Sequence, residues 1–500
     1  MALVNLHDDA LHGIIEMVYL DQHKVFVSHL QTPRNRGAVL LPLSMTCRRL
    51  RRQVSPWIFQ EVYAWPEVWP ASICCYFRKL HLRDVAYARS SSKLSINLAP
   101  ALPTIPTMVA LTHVVLTVAG SPPAELLSAI ASAPRISSLE LLDVRLDNID
   151  ASAFAPLRTL DRLRIHINVD RPADLDYEKE RQTVDGIVHS LSETIACFEI
   201  PGDLIDLACI ANASWPRLKT LKLTGHPPSC IPLHMATVVS RMPRLRTLGL
   251  EFSSTVRYHI PPYVYCPAAV DNVSLESVVP DLESLSLSNV FCREDRVLDQ
   301  IPRGVSVLRI QALMDPLEPA EYWFKKLQWQ PLSPLSASAA YHVIQRASCL
   351  EGLRELSLTL EDIPSPTLVR KVASACPHLA ALELQQAQFT QKFDYLDDAV
   401  WATEEYVDAI RGFIPGLQVF RISMQFDVED GSEQFDPHNM CAQYFATHAV
   451  PTLQKLGLMY RRVTAASNGR LESWHDYNII RDPRGESPPK LDLSTWDIIS

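Results

Sequence analysis

The residues that could do chemistry in this 500-residue chain are sixteen histidines, eleven cysteines and an acidic run, DVEDGSEQF, at Asp427–Phe435. The histidines are scattered without ligand spacing. The cysteines are odd in number and show no C-x-x-C pair, so they read as reduced thiols, and no metal site is expected. The acidic run lacks the spacing and the closing Glu of a calcium loop and reads as a surface loop. Phosphate cradles consume glycine, and the chain has only 15, with neither G-x-x-x-x-G-K-[ST] nor G-x-G-x-x-G; H-E-x-x-H and G-x-S-x-G are also missing. The sequence therefore offers no catalytic residue, no cofactor and no metal, and an enzyme is not expected.

Two further constellations point to binding. In LSMTCRRLRRQVSPWIFQEV, Leu43 to Val62, RRLRR suggests a basic patch, while Leu43, Cys47, Leu50 and Val54 have the spacing of one apolar helix face. A formal net charge of -9 argues against a general phosphate-backbone binder, so Arg48, Arg49, Arg51 and Arg52 read as a solvated rim, with nucleic acid or nuclear import as the minor alternative. Farther along, residues 392–447 carry eleven Asp or Glu against Lys392, Arg411 and Arg421, interleaved with Phe393, Tyr395, Trp401, Tyr406, Phe426 and Phe435. Trp401, Glu404, Glu405, Asp408, Asp427, Glu429 and Asp430 are thus a candidate substrate surface, since aromatics anchor and carboxylates steer. The competing reading is a solvated helix face over ordinary core aromatics.

The elements that must position these residues repeat. APRISSLEL, WPRLKTLKL, MPRLRTLGL, VPDLESLSL, CPHLAALEL, IPGLQVFRI and VPTLQKLGL, at Pro134, Pro216, Pro243, Pro280, Pro377, Pro415 and Pro451, share the unit P-x-[LI]-x-x-[LF]-x-[LI]. Its last two apolar positions have strand period. Looser copies are FRKLHL from Phe77, LTHVVL from Leu111, LDRLRI from Leu160, VSVLRI from Val305, LRELSL from Leu353 and the weaker ACFEI ending at Ile200. Segments before several prolines, such as PPAELLSAIASA, HMATVVSR, PTLVRKVASAC and EEYVDAIRGF, have helical spacing, and Pro then stops the helix. A unit this small cannot bury its own faces, so neighbours must stack. ALPTIPTMVALTHVVLTVAG, residues 101–120, fits a loop and a buried strand better than a membrane span, because two prolines, four threonines and a histidine interrupt it.

The phrase resembles the leucine-rich-repeat family in an irregular form, with the Asn or Cys that usually follows L-x-x-L-x-L mostly missing. The implied fold is α/β: an irregular solenoid over 77–465, parallel strands on its concave side and helices on its convex side, preceded by a connector at 63–76 and followed by a C-terminal tail or cap at 466–500. The first 62 residues lie outside the repeat. NLHDDALHGIIEMV offers Asp8 as a cap and Leu11, Ile14, Ile15 and Val18 on one face; a second helix carries Leu43 to Val54; Ser55 and Pro56 announce a third with Trp57, Ile58 and Phe59. Three short helices leave apolar surface uncovered unless something packs on it.

NLHDDALHGII resembles the "LPxElLxxI" opening of the F-box, and LLPLSMTCRRLRRQVSPWIFQEV resembles its second half. His7 stands where the family usually has Pro, and residues 21–38 are longer than the usual connection. The combination is similar to a large group of fungal F-box proteins with degenerate leucine-rich repeats. That resemblance implies a substrate-receptor subunit of a Skp–cullin–F-box ubiquitin ligase, with Leu6, Leu11, Ile14, Ile15, Val18, Leu43, Cys47, Leu50 and Trp57 shared between the module's core and the Skp-type adaptor. Cullin and RING subunits would follow through the adaptor, a protein substrate would sit on the repeats, and no nucleic acid or membrane is involved. The opening MALVNLHDDALHGII lacks a basic signal-peptide start, which with reduced thiols implies cytoplasm or nucleus. The alternative is a repeat scaffold outside ubiquitination whose N-terminal helices cap the solenoid, burying their apolar face on the first repeat.

Overall fold

The computed structural model describes residues 8–25, 40–64, 70–83, 102–118, 120–167, 175–228, 233–253, 263–267, 274–290, 295–313, 334–387, 403–414, 416–424, 437–463, 470–482 and 487–493. The chain divides into two units, Met1–Cys230 with Val238–Arg244, and Ile231–Thr237 with Leu245–Ser500.

Among the described residues of the first unit seven strands run in chain order: β1 (Glu61–Ala64), β2 (Lys79–Arg83), β3 (His113–Thr117), β4 (Ser138–Leu142), β5 (Arg162–His166), β6 (Cys197–Pro201) and β7 (Thr220–Gly225). Each pairs in parallel with the next. The second unit holds β8 (Thr247–Phe252), β9 (Ser284–Ser288), β10 (Val307–Gln311), β11 (Glu355–Leu360), β12 (Ala381–Gln386), β13 (Val419–Ser423), β14 (Lys455–Val463), β15 (Arg470–Ile480) and β16 (Lys490–Leu493). Here β8 to β14 are parallel in order, while β14, β15 and β16 are antiparallel.

Every copy of the repeated phrase, tight or loose, supplies one of the strands β2 to β14. Its physical basis is visible at the turn. In five of the seven tight copies the carbonyl of the residue before the Pro accepts from the amide of the first apolar residue, as in Val279 O from Leu282 N (3.1 Å), Cys376 O from Leu379 N (3.3 Å) and Val450 O from Leu453 N (3.0 Å). Pro thus sits at the second position of a β-turn, where its fixed φ fits. The next two amides then share one carbonyl of the preceding repeat. Lys219 N and Thr220 N both donate to Ala196 O, Ala380 N and Ala381 N to Arg354 O, and Gln454 N and Lys455 N to Gln418 O. These shared acceptors satisfy the backbone as the chain turns into each strand.

The three phrase leucines point inward. Leu245, Leu248 and Leu250 are at most 1% exposed, and the same positions around β9 and β12 are equally buried. Helices on the return paths pack on one another in sequence. In the second unit Ala337–Ala347 meets Pro366–Ala375, which meets Thr403–Ile410, which meets Pro437–His448. The expected helices at Ala124–Ala131, Met235–Val239, Pro366–Ala375 and Thr403–Ile410 all form.

Two differences from the sequence reading have physical reasons. Glu61–Ala64 is already a strand, in register with Lys79–Leu82, so the boundary drawn after residue 62 falls inside β1, and the connector at 63–76 contains a short helix at Ala71–Cys74. No helix starts at Ser55: one helix runs Arg48–Ile58 through Pro56, and the Ser55 hydroxyl turns back to donate to Arg51 O (2.7 Å) instead of capping. The three helices are therefore Asp8–Val25, Leu41–Ser44 and Arg48–Ile58. Within the tail, β15 and β16 extend the sheet by antiparallel pairing and give the last repeat a partner along its edge. Among the described residues no helix is long and apolar enough to cross a membrane, and residues 113–117 are the buried strand β3.

Candidate interaction surfaces

The N-terminal helices separate their apolar residues into two sets. Leu11, Ile15, Leu40, Leu50, Val54 and Ile58 are at most 2% exposed and form a closed cluster, with Leu43, Cys47, Trp57 and Phe59 partly buried against it. His12 and Trp57 stack obliquely across two helices, with ring centroids 5.3 Å apart. Cys47 precedes the third helix in extended geometry, and its Sγ accepts from Leu50 N (3.5 Å), which makes it the cap. Arg51 Nε donates to Ser44 O (3.1 Å), closing the short helix, while Arg48 and Arg52 are solvent-exposed.

The second set is open. Met17 is 68% exposed, Val18 39%, Leu41 43% and Met45 76%. Ile14, Met17 and Val18 lie three and four residues apart on one helix side, and Leu41 and Met45 lie four apart across the short helix and its end. Of the nine residues the resemblance implies, Leu11, Ile15 and Leu50 thus belong to the module's interior. Leu43, Cys47 and Trp57 line its margin, Ile14 is half-buried, Val18 is exposed, and Leu6 lies outside the described residues, as does His7. Met17, Leu41 and Met45, exposed on or beside the same helices, were not singled out in the sequence. The available signal was an excess of apolar residues over what one helix stripe can bury.

The acidic candidate surface is only partly described. Glu404, Glu405 and Asp408 are exposed on the helix Thr403–Ile410, and Asp408 pairs with Arg411 at 2.7 Å. Trp401, Asp427, Glu429 and Asp430 lie outside the described residues, as do most of the 392–447 acids and aromatics and residues 26–38 of the insertion. Tyr406 is a correction to the aromatic anchors: it is 1% exposed and donates its hydroxyl to Pro364 O (2.8 Å), so it is core.

A third surface went unrecognised in the sequence, because it is made of strand residues opposite the leucines. Alternate residues of β1 to β7 align across the first unit's sheet. One row is Glu61, Lys79, His113, Ser138, Arg162, Cys197 and Thr220; the next contains His81, Val115, Glu140, Arg164, Glu199 and Lys222. Arg83 and His166 follow on the same side. Glu61 pairs with His81 (2.8 Å) and Lys79 (3.3 Å), and Arg164 with Glu199 (3.1 Å), while His166 lies 3.9 Å from both Glu140 and Glu199. Partial burial holds His113 below the ordinary imidazole pKa, reinforced by Lys79 and Arg162 and opposed by Glu140.

The second unit's polar groups are mainly structural. Buried Asp295 accepts from Tyr265 N (2.6 Å), Cys266 N (2.9 Å) and Val297 N (2.9 Å), tying 263–267 to the chain after it, and burial raises its pKa. Burial also pushes the Cys266 thiol up to about 12, as it does that of Cys209 in the first unit, so neither is a nucleophile at neutral pH. Asn289, at φ 50°, donates its side-chain amide to Phe252 O and Leu313 O (both 2.9 Å), bridging neighbouring repeats.

Register, turn chemistry and burial decide the architecture. The fold is of the leucine-rich-repeat type. No family model and no curated relative matches the chain. Among solved structures it is similar to the yeast Rad7 and Elc1 complex, at 13% identity over 84% of this chain and 91% of that chain, with a TM-score of 0.40. It is also similar to the leucine-rich repeat-containing protein LegL7 from Legionella pneumophila, at 13% identity over 70% of this chain and 97% of that chain, with a TM-score of 0.33.

Proposed function

We propose that this protein is a non-catalytic receptor subunit of a Skp–cullin–F-box ubiquitin ligase, acting in cytoplasm or nucleus. Its N-terminal helices dock a Skp-type adaptor and, through it, cullin and RING subunits, while the repeats hold a protein substrate. The observation that carries this reading is the coexistence of a sealed six-residue core with an exposed apolar set, Met17, Val18, Leu41 and Met45, on the same helices. Helices serving only as a solenoid cap would bury that set on the first repeat. Proximity is the mechanism: a held substrate presents its lysines at high effective concentration to the conjugating enzyme of the partner subunits.

The test is co-purification of the chain with a Skp adaptor, comparing wild type with Met45→Asp and Met17→Asp. Both substitutions lie on the surface and leave the core intact, so loss of the adaptor with unchanged thermal unfolding supports docking. A folded wild type that does not bind the adaptor returns the chain to the scaffold reading.

A further inference from the structure

The open face of β1 to β7 has a charge character at odds with the chain. Its outward positions carry five fixed cations, Lys79, Arg83, Arg162, Arg164 and Lys222, against three carboxylates, Glu61, Glu140 and Glu199, with His81, His113 and His166 among them. The whole chain is at -9. In the second unit the corresponding positions of β8 to β13, and of β14 as far as Met459, are mostly neutral: Thr247, Ser284, Ser286, Ser288, Gln311, Ser357, Thr359 and Gln385, with Glu251, Glu355 and Glu383 against Arg309, Arg421 and Lys455.

The cations are not all used internally. Among the described residues Lys79 and Arg164 have carboxylate partners, whereas Arg83, Arg162 and Lys222 have none, and Arg83 and Arg162 are exposed. Between Lys79 and Arg162 the row reads Lys79, His113, Ser138, Arg162, with no acid in it. Three strand spacings separate its ends, about 14 Å, which is also the span of four residues of extended chain. Carboxylates at the first, third and fifth positions of an extended segment would match that row.

We propose that this face holds an acidic, extended segment of a protein partner, its carboxylates seated along the Lys79–His113–Arg162 row, with Arg83 and Lys222 flanking. The inference rests on the receptor reading in taking the partner to be a protein, and it names that partner's chemistry. Nucleic acid fits less well, because a phosphate backbone needs an unbroken cationic track, and Glu61, Glu140 and Glu199 interrupt this one.

The experiment is fluorescence anisotropy on the full chain at low salt. The probes are a labelled peptide with Glu at every second position and Ser between, the same peptide with Lys for Glu, and a short DNA duplex. The Glu peptide is expected to bind at least about tenfold more tightly than the Lys peptide, and to lose about tenfold or more in Arg162→Glu and in Arg83→Glu. Arg309→Glu, on the other unit's face, should change binding less than about twofold. Each variant is accepted only with wild-type thermal unfolding; Lys79→Gln serves as the milder substitution if a reversal fails to fold. The proposal is overturned by equal binding of the two peptides, by binding indifferent to all three first-unit substitutions, or by tighter binding of the duplex that those substitutions abolish. Adaptor docking is read separately. Met45→Asp should leave peptide binding unchanged, so loss of either interaction alone shows which of the two readings has failed.

Discussion

Arg421 on β13 reaches across Gly457 on β14 to Asp476 on β15, with Nε 3.2 Å from Oδ1 and the guanidinium carbon 4.2 Å from the Trp474 ring centre. Its other arm donates to Glu383 Oε2 at 3.0 Å. The crossing is possible only because β14 has no side chain there: a Cβ on Gly457 would lie 2.5 Å from Asp476 Oδ1 and 2.6 Å from Arg421 Cγ. One buried cation therefore links the last parallel repeats to the antiparallel strands that end the sheet.

Removing either side of this crossing should loosen the C-terminal cap. Arg421→Ala leaves Asp476 buried without its cation and is expected to cost roughly 3 kcal/mol. Gly457→Val, which drives a branched side chain into the same space, should cost about 1–3 kcal/mol. Urea unfolding measures both, and amide exchange should show β15 losing protection before β12. Unchanged protection in β15 would contradict the linkage.

The two apolar sets of the N-terminal helices should behave differently. Ile15→Asp places a charge in the closed cluster and is expected to destabilise the module by about 3 kcal/mol or more, abolishing adaptor binding through unfolding. Met45→Asp and Met17→Asp should change stability by less than about 0.5 kcal/mol while acting on adaptor binding. Circular dichroism and co-purification together separate the cases. A chain starting at Tyr63 would cut into β1 and is a poorer control than these point substitutions.

Asn289 combines a left-handed backbone with two side-chain bonds to neighbouring repeats. Asn289→Leu loses both bonds and strains φ, and a cost of roughly 2–3 kcal/mol is expected. Asn289→Gly keeps the backbone and should recover part of that loss, by the same urea measurement.

Acidification below neutral should destabilise the fold through two imidazoles, buried His234 and the partly screened His113, whose pKa values lie below the ordinary one. His234 is 3% exposed, its Nδ1 accepts from Ala236 N (3.2 Å), and burial, opposed by Asp295, lowers its pKa. His113 shifts in the same direction. With the folded pKa below the unfolded 6.5, the unfolded chain takes up the proton first. Stability is thus fully present above about pH 6.5 and falls as pH drops toward the folded value. The urea midpoint should decline from pH 7 to pH 5, and His234→Gln should flatten part of that slope. Asp295, raised by burial, acts in the opposite sense at lower pH.

The sequence by itself determined the repeat. Each P-x-L-x-x-L-x-L carries its turn, its strand and its buried face within eight residues, so local spacing sufficed to place β2 to β14 and the helices before several prolines. It also showed that the first sixty residues follow another rule. Only the tertiary structure decided which apolar residues of those helices are interior. Leu11 and Met17 both read as apolar positions on one helix, and burial depends on what the other helices cover. The same holds for the charged face from Lys79 to Lys222, whose members lie up to 143 positions apart and share one side of the sheet because parallel pairing sets the strands in register. The Arg421–Asp476 crossing required a glycine on the strand between them, a condition that no local pattern around either residue expresses.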